Sequence, residues 1–220
     1  MDADFWHQRW QAGEIGFHRQ EYNDHMMEFI DLLGLEPWDH ILVPLCGKSR
    51  DMIWMRDHNY RVTGIEISPI AVADFFAEHD ISYHVSDHAW GSRYTSDGIT
   101  ILCADFFDIS SVDLPPIDGI YDRASLIALP SAMRADYVRH LATLMPDTAR
   151  SLLITLEYPQ NEMDGPPFSV NEKDVYQLYG DKFLIELLHS VDCLANEPRF
   201  QQRGLSKLEE HVFLLARIIS

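Results

Sequence analysis

Basic residues are scarce in this chain: 17 Lys and Arg stand against 35 Asp and Glu, a formal charge of −18. Affinity for nucleic acid rests on Lys and Arg contacts to phosphate, so this balance argues against a nucleic-acid partner. The acidic residues are spread along the chain without forming a tail and read as a solvated surface. Cysteine is scarce as well. Cys46, Cys103 and Cys193 are odd in number and far apart, with no CxxC pair, which points to a cytoplasmic protein without a redox motif. Eleven histidines form no HExxH and no comparable ligand set. His79, His84 and His88 fall near one another, but in a polar stretch with no cysteine, so no metal is expected. No run of about 18 apolar residues occurs, so no membrane span is expected. The start, Met1-Asp2-Ala3-Asp4, lacks the basic-then-apolar pattern of a secretory signal. A protein acting as a monomer on a small molecule is the expectation.

What is present is enough apolar material for one core: 46% of 220 residues are hydrophobic. One α/β domain spanning 1–220 is expected, with no repeats, linkers or low-complexity segments. Helical patterns fall at 5–11, where Trp6 and Trp10 share a face, and at 22–33, where Met26, Phe29, Ile30 and Leu33 form a stripe. Strand 40–45 leads through Cys46-Gly47-Lys48 into a helix ending near His58. Strand 61–67 follows, then Ser68-Pro69, which reads as a helix N-cap with proline in the first turn. Residues 80–98 suggest a loop or a small hairpin. Further strands are read at 99–103, 119–121 and 151–156, with a helix at 131–145, a loop at 161–168 and a helix at 171–179. Two long strands, 183–192 and 208–218, close the chain. Strands alternating with helices imply a doubly wound, mostly parallel sheet, and the final pair implies an antiparallel edge.

The chemistry gathers at strand ends. Gly47 follows one apolar run, and Glu66, nineteen residues on, ends the next. A glycine lets backbone approach a ligand, and a carboxylate can accept hydrogen bonds from both hydroxyls of a ribose. Leu42 occupies the position where a P-loop needs glycine, and Leu45-Cys46-Gly47 does not satisfy GxGxxG. A nucleoside-containing cofactor without phosphates fits better, and S-adenosylmethionine is such a molecule. Leu45 and Gly47 would offer backbone to its methionine tail and Glu66 would take the ribose. Asp105 and Phe106 would flank the adenine.

Several strings resemble one family: Trp6-x-x-x-Trp10, Val43-Pro44-Leu45-Cys46-Gly47-Lys48-Ser49, Gly64-Ile65-Glu66-Ile67-Ser68, Asp122-Arg123-Ala124-Ser125-Leu126 and Gly165-Pro166-Pro167-Phe168. Together they look like the bacterial thiopurine S-methyltransferases, and the likeness runs from Trp6 to the terminal strand. It implies a Rossmann-like class I methyltransferase fold, a seven-stranded sheet with an antiparallel last strand, and residues 1–34 as a helical cover. It implies methyl transfer from S-adenosylmethionine to aromatic and heterocyclic thiols, leaving S-adenosylhomocysteine. Methylation of selenium and tellurium species, or of another small molecule, is the alternative. By position the resemblance assigns Trp10, Leu45, Glu66 and Arg123 to the cofactor, with Trp6, Gly47, Ile67, Asp105 and Phe106 completing its shell. Phe17, Arg123 and Arg199 fall to the methyl acceptor. A thiol reacts as its thiolate, and acidic heterocyclic thiols are ionised near neutral pH, so no general base is nominated.

Overall fold

The computed structural model describes residues 3–16 and 18–218. The chain clusters into two compact units, divided after Tyr121.

The first unit opens with α1 (Ala3–Gln11) and α2 (Asp24–Phe29), the latter continuing into a 3-10 turn that ends at Leu33. Asn23 caps α2, its side chain accepting from the Met26 N–H. Then come β1 (His40–Val43), α3 (Asp51–Asp57), β2 (Arg61–Glu66) and α4 (Pro69–Glu78). Ser68 caps α4 through the Ala71 N–H with Pro69 in the first turn, as its sequence suggests. A hairpin of β3 (His84–His88) and β4 (Gly91–Thr95) precedes β5 (Ile99–Cys103) and β6 (Gly119–Arg123), the last two residues of which fall in the second unit. The hydrogen-bonded order in this unit is β3-β4-β5-β2-β1-β6. β5, β2, β1 and β6 are parallel, and the hairpin adds antiparallel strands against β5.

Residues 62–66 of β2 are all buried, the mark of a parallel strand covered on both faces. Ile41, Leu42, Met52, Met55, Phe75, Phe76 and Ile101 pack the core around it. Gly64 is there because the next layer leaves no room. A Cβ on it would stand 2.5 Å from Cys46 Sγ and 3.1 Å from Met52 Sδ.

The second unit contains α5 (Ser131–Leu144), β7 (Arg150–Glu157), α6 (Glu172–Tyr179), β8 (Phe183–Asp192), α7 (Pro198–Gln202) and β9 (Glu209–Arg217). Its order is β7-β9-β8, with β9 antiparallel to both neighbours. Tyr137, Leu141, Leu152, Leu153, Val212 and Phe213 fill its core. Ser169 Oγ accepts the Tyr158 N–H, and the Tyr158 hydroxyl donates to Pro167 O, which ties down the loop carrying the cis peptides Gly165-Pro166 and Pro166-Pro167.

The strand count corrects the seven expected. Nine strands lie among the described residues, because 84–95 forms a paired hairpin where the polar sequence leaves a loop equally open. The antiparallel last strand is as expected.

Candidate functional site

β1 ends in a tight bend. Leu45 takes φ 45° and Gly47 φ 53°, both in the left-handed region, so the backbone turns sharply at the carboxyl end of the strand. Left-handed backbone at a leucine is uncommon and persists only where surroundings impose it, a pattern concentrated at functional sites. The surroundings here are plain: the Cys46 N–H donates to Ile65 O at 2.9 Å, stitching the bend to β2.

Glu66 closes the other side. It is 6% exposed, with Oε2 accepting the Gly47 N–H at 2.9 Å and Oε1 accepting the Ser68 N–H at 2.7 Å. Burial raises its pKa, a rise that hydrogen bonds from Ser68, Gly47 and Ile67 together with His7 offset only in part. An ionised carboxylate has about four acceptor positions, so with three backbone N–H groups engaged one remains for a ligand's donor. The Glu66 carbonyl in turn accepts the Ala104 N–H at 3.0 Å, which brings the end of β5 and Asp105-Phe106 alongside.

Trp10 covers the glycine. It is buried, and a Cβ on Gly47 would meet its ring at 3.4 Å. His7, one turn earlier, reaches Ile67 O at 3.1 Å. Helix α1 therefore lies over the bend at Gly47 and over Ile67. Trp6, on the same helix, is half-buried and edge-on to Phe5 at 5.3 Å.

Lys48, which a phosphate site would turn inward, points to α4 instead. Its ammonium lies 2.5 Å from Glu78 Oε1 and 3.5 Å from Asp74 Oδ2, and its side chain is buried. That geometry removes the P-loop alternative. Cys46 is buried, and burial together with Glu66 holds its thiol well above the ordinary range, so it is no nucleophile.

The structure thus groups Trp10, Leu45, Gly47, Glu66 and Ile67 at the ends of β1 and β2, with Asp105 and Phe106 at the end of β5. Asp105 is exposed and has Oδ1 engaged by the Phe107 N–H at 2.9 Å, leaving its other oxygen for a ligand. Phe106 is buried at 5% exposure, whereas Phe107 keeps its ring at the surface. Arg123 and Arg199 belong to the second unit. Arg123 is the half-buried last residue of β6, followed by Ala124 at φ 65°, another left-handed non-glycine just past a strand end. Arg199 is exposed on α7. Phe17 lies outside the described residues.

Two participants escape the sequence. His7 carries no motif, and the Ser68 N–H, whose residue reads as a helix cap alone, also holds the Glu66 carboxylate. The second unit adds a buried polar set as well: Asp122 Oδ2 accepts from the Tyr137 hydroxyl at 2.7 Å. Burial pushes Asp122 up to about 6, with Tyr137 and Ser125 opposing the rise.

A family model described as thiopurine S-methyltransferase matches residues 1–218. A thiopurine S-methyltransferase of Nitrosospira multiformis is 47% identical over 216 residues, covering 98% of each chain. Among solved structures, an S-adenosylmethionine-dependent methyltransferase of Anabaena variabilis superposes with a TM-score of 0.66 at 14% identity, covering 98% of this chain and 95% of that one. A 1,6-didemethyltoxoflavin-N1-methyltransferase of Burkholderia thailandensis, solved with S-adenosylhomocysteine, gives 0.60 at 14% identity, covering 99% and 87%. The fold is α/β with a mostly parallel central sheet and an antiparallel edge, the class I methyltransferase arrangement. The chain belongs to the thiopurine S-methyltransferase family and is a methyltransferase.

Proposed function

We propose that the chain binds S-adenosylmethionine at the strand ends of its first unit and methylates the sulfur of thiopurines and related aromatic or heterocyclic thiols. The observation that carries this is Glu66, a buried carboxylate held in place by backbone N–H groups with acceptor capacity left over, beside a glycine bend at hydrogen-bonding distance. A ribose hydroxyl matches that spare capacity, and Lys48, turned away to α4, suits a nucleoside without phosphates. The relatives' name supports the thiol acceptor.

When bound, the sulfonium supplies an activated methyl group. The chain's own residues do the rest by placement. Glu66 and the backbone at Leu45 and Gly47 fix one end of the ligand, while Asp105 can take an exocyclic amine. Trp10 lies on Gly47 and keeps water off the bend. Attack by the acceptor sulfur is an in-line displacement, for which alignment carries much of the rate. An acidic heterocyclic thiol arrives as the thiolate, so Arg123 and Arg199 serve as fixed positive charge, without a base. Asp122, 1% exposed, is sealed away from solvent. Residues 1–34 act as the cover over the cofactor in this reading.

The test is labelled methyl transfer across thiopurines, thiophenols, selenite and tellurite, beside titration with S-adenosylhomocysteine. Turnover confined to the thiols is expected. Preferential methylation of the oxyanions would replace the acceptor and leave the cofactor reading standing. Failure to bind S-adenosylhomocysteine would remove both.

A further inference from the structure

Antiparallel pairing of β7 with β9 sets Glu157 directly opposite Glu209, and Thr155 opposite His211. Side chains at these positions share one face of the ladder, so two carboxylates meet head-on with an imidazole one step along. Like charges directly opposed in a sheet are unfavourable unless a cation lies between them. Lys207 provides one positive charge: its ammonium is 2.8 Å from Glu209 Oε2 and 3.5 Å from Glu157 Oε1. Two carboxylates against one ammonium leave the set a charge short.

His211 makes the set more than an acidic pair. Its side chain is 5% exposed, with Nε2 lying 3.1 Å from Glu157 Oε2 and 3.9 Å from Glu209 Oε2. One ligand atom from each of the three residues falls within 4.8 Å of the other two. Its Nδ1 is buried and has no hydrogen-bond partner among the described residues, so the ring engages polar groups on the Nε2 side alone. One imidazole and two carboxylates gathered this closely are a donor set suited to zinc and its first-row neighbours.

We propose that Glu157, Glu209 and His211 form a binding site for a divalent transition metal, which Lys207 occupies in competition. Lys207 is half-exposed on a flexible stem and can swing clear, whereas the three ligands are fixed by strand register. The metal would join β7 to β9 and cancel the charge opposition. Coordination at Nε2 leaves the ring proton on Nδ1, where no acceptor waits. A ligating imidazole whose other nitrogen lacks a partner costs a metal site about 10–100-fold in affinity, so binding is moderate and reversible.

None of its ligands is a proposed cofactor residue, and its test uses binding alone. Full-length protein stripped with chelator is titrated with Zn²⁺ by calorimetry and against a competing chromophoric chelator. One Zn²⁺ per chain is expected. His211→Ala and Glu209→Gln should each weaken binding by roughly tenfold or more. Lys207→Met keeps the stem, removes the competing ammonium, and should tighten binding several-fold. If His211→Ala does not fold, the near-isosteric pair Glu157→Gln and Glu209→Gln carries the same comparison. No uptake by the native chain overturns the proposal, as does uptake that neither ligand substitution diminishes.

Discussion

Glu66 is the residue on which the cofactor reading turns, and its environment sets the size of the effect. Removing a charged acceptor that holds a ligand's donors costs about 1–3 kcal/mol. Glu66→Ala should therefore weaken S-adenosylhomocysteine binding by that amount in calorimetry, in a variant shown to be folded. Unchanged affinity would take the ribose away from this carboxylate. Asp122 makes a different prediction. Burial raises its pKa from 3.8 to about 6 in the folded chain, so between those values the native state holds more protons than the unfolded one. Stability contributed by this group is thus complete at low pH and lost as pH rises through 6. The rise from 3.8 to about 6 corresponds to roughly 3 kcal/mol. Asp122→Asn keeps an acceptor for the Tyr137 hydroxyl but cannot ionise. Its denaturant stability should fall less than the native protein's between pH 4 and pH 7.5; parallel curves would contradict the raised pKa.

At the level of elements, the bend after β1 and the layer beneath it are coupled through Gly64. A methyl group there meets Cys46 Sγ at 2.5 Å, and overpacking of this kind costs about 1–3 kcal/mol. Gly64→Ala should lower the melting temperature, and adding Cys46→Ala should restore part of the loss by removing the sulfur; simple additivity would show that the two do not share space. The cover behaves as a second element. Trp10 is already packed on Gly47, so ligand should strengthen an existing seat, and proteolysis before Tyr22 should slow when S-adenosylhomocysteine is added. Equal rates with and without it would leave α1 as core packing only. Much of this is legible in the sequence. Apolar runs bounded by Gly47 and Ser68-Pro69 place β1, β2 and α4 within a residue or two, because glycine and capping residues act locally. Residues 84–95 are ambiguous because β3 is exposed throughout and carries no apolar alternation. The five-residue α7 has too few turns to show a period. Glu157, Glu209 and His211 come together only through strand register, and a search of the sequence for ligands at short spacing passes over them.

For the whole molecule, charge outweighs every other feature. At −18 the chain repels itself and also repels an anionic thiolate. Raising ionic strength from about 10 to 150 mM shortens the screening length from roughly 30 to 8 Å. It should raise kcat/KM for an ionised thiol while leaving a neutral acceptor nearly unaffected; equal salt responses would show that local arginines outweigh the global field. The same surface bears on how the protein keeps to itself when crowded. Among the described residues β3 pairs only with β4 and β8 only with β9, so each presents an open row of backbone donors and acceptors. Such rows recruit other chains into fibres unless something blunts them. β3 does so with His84, Ser86, Asp87 and His88, all exposed and polar. β8 does so with a break in register between Leu187 and His189, which bends the strand just beyond the exposed Leu184. Straightening that break by deleting Leu188 would give an incoming strand a flat template to dock on, and turn a harmless margin of the sheet into a seed for aggregation.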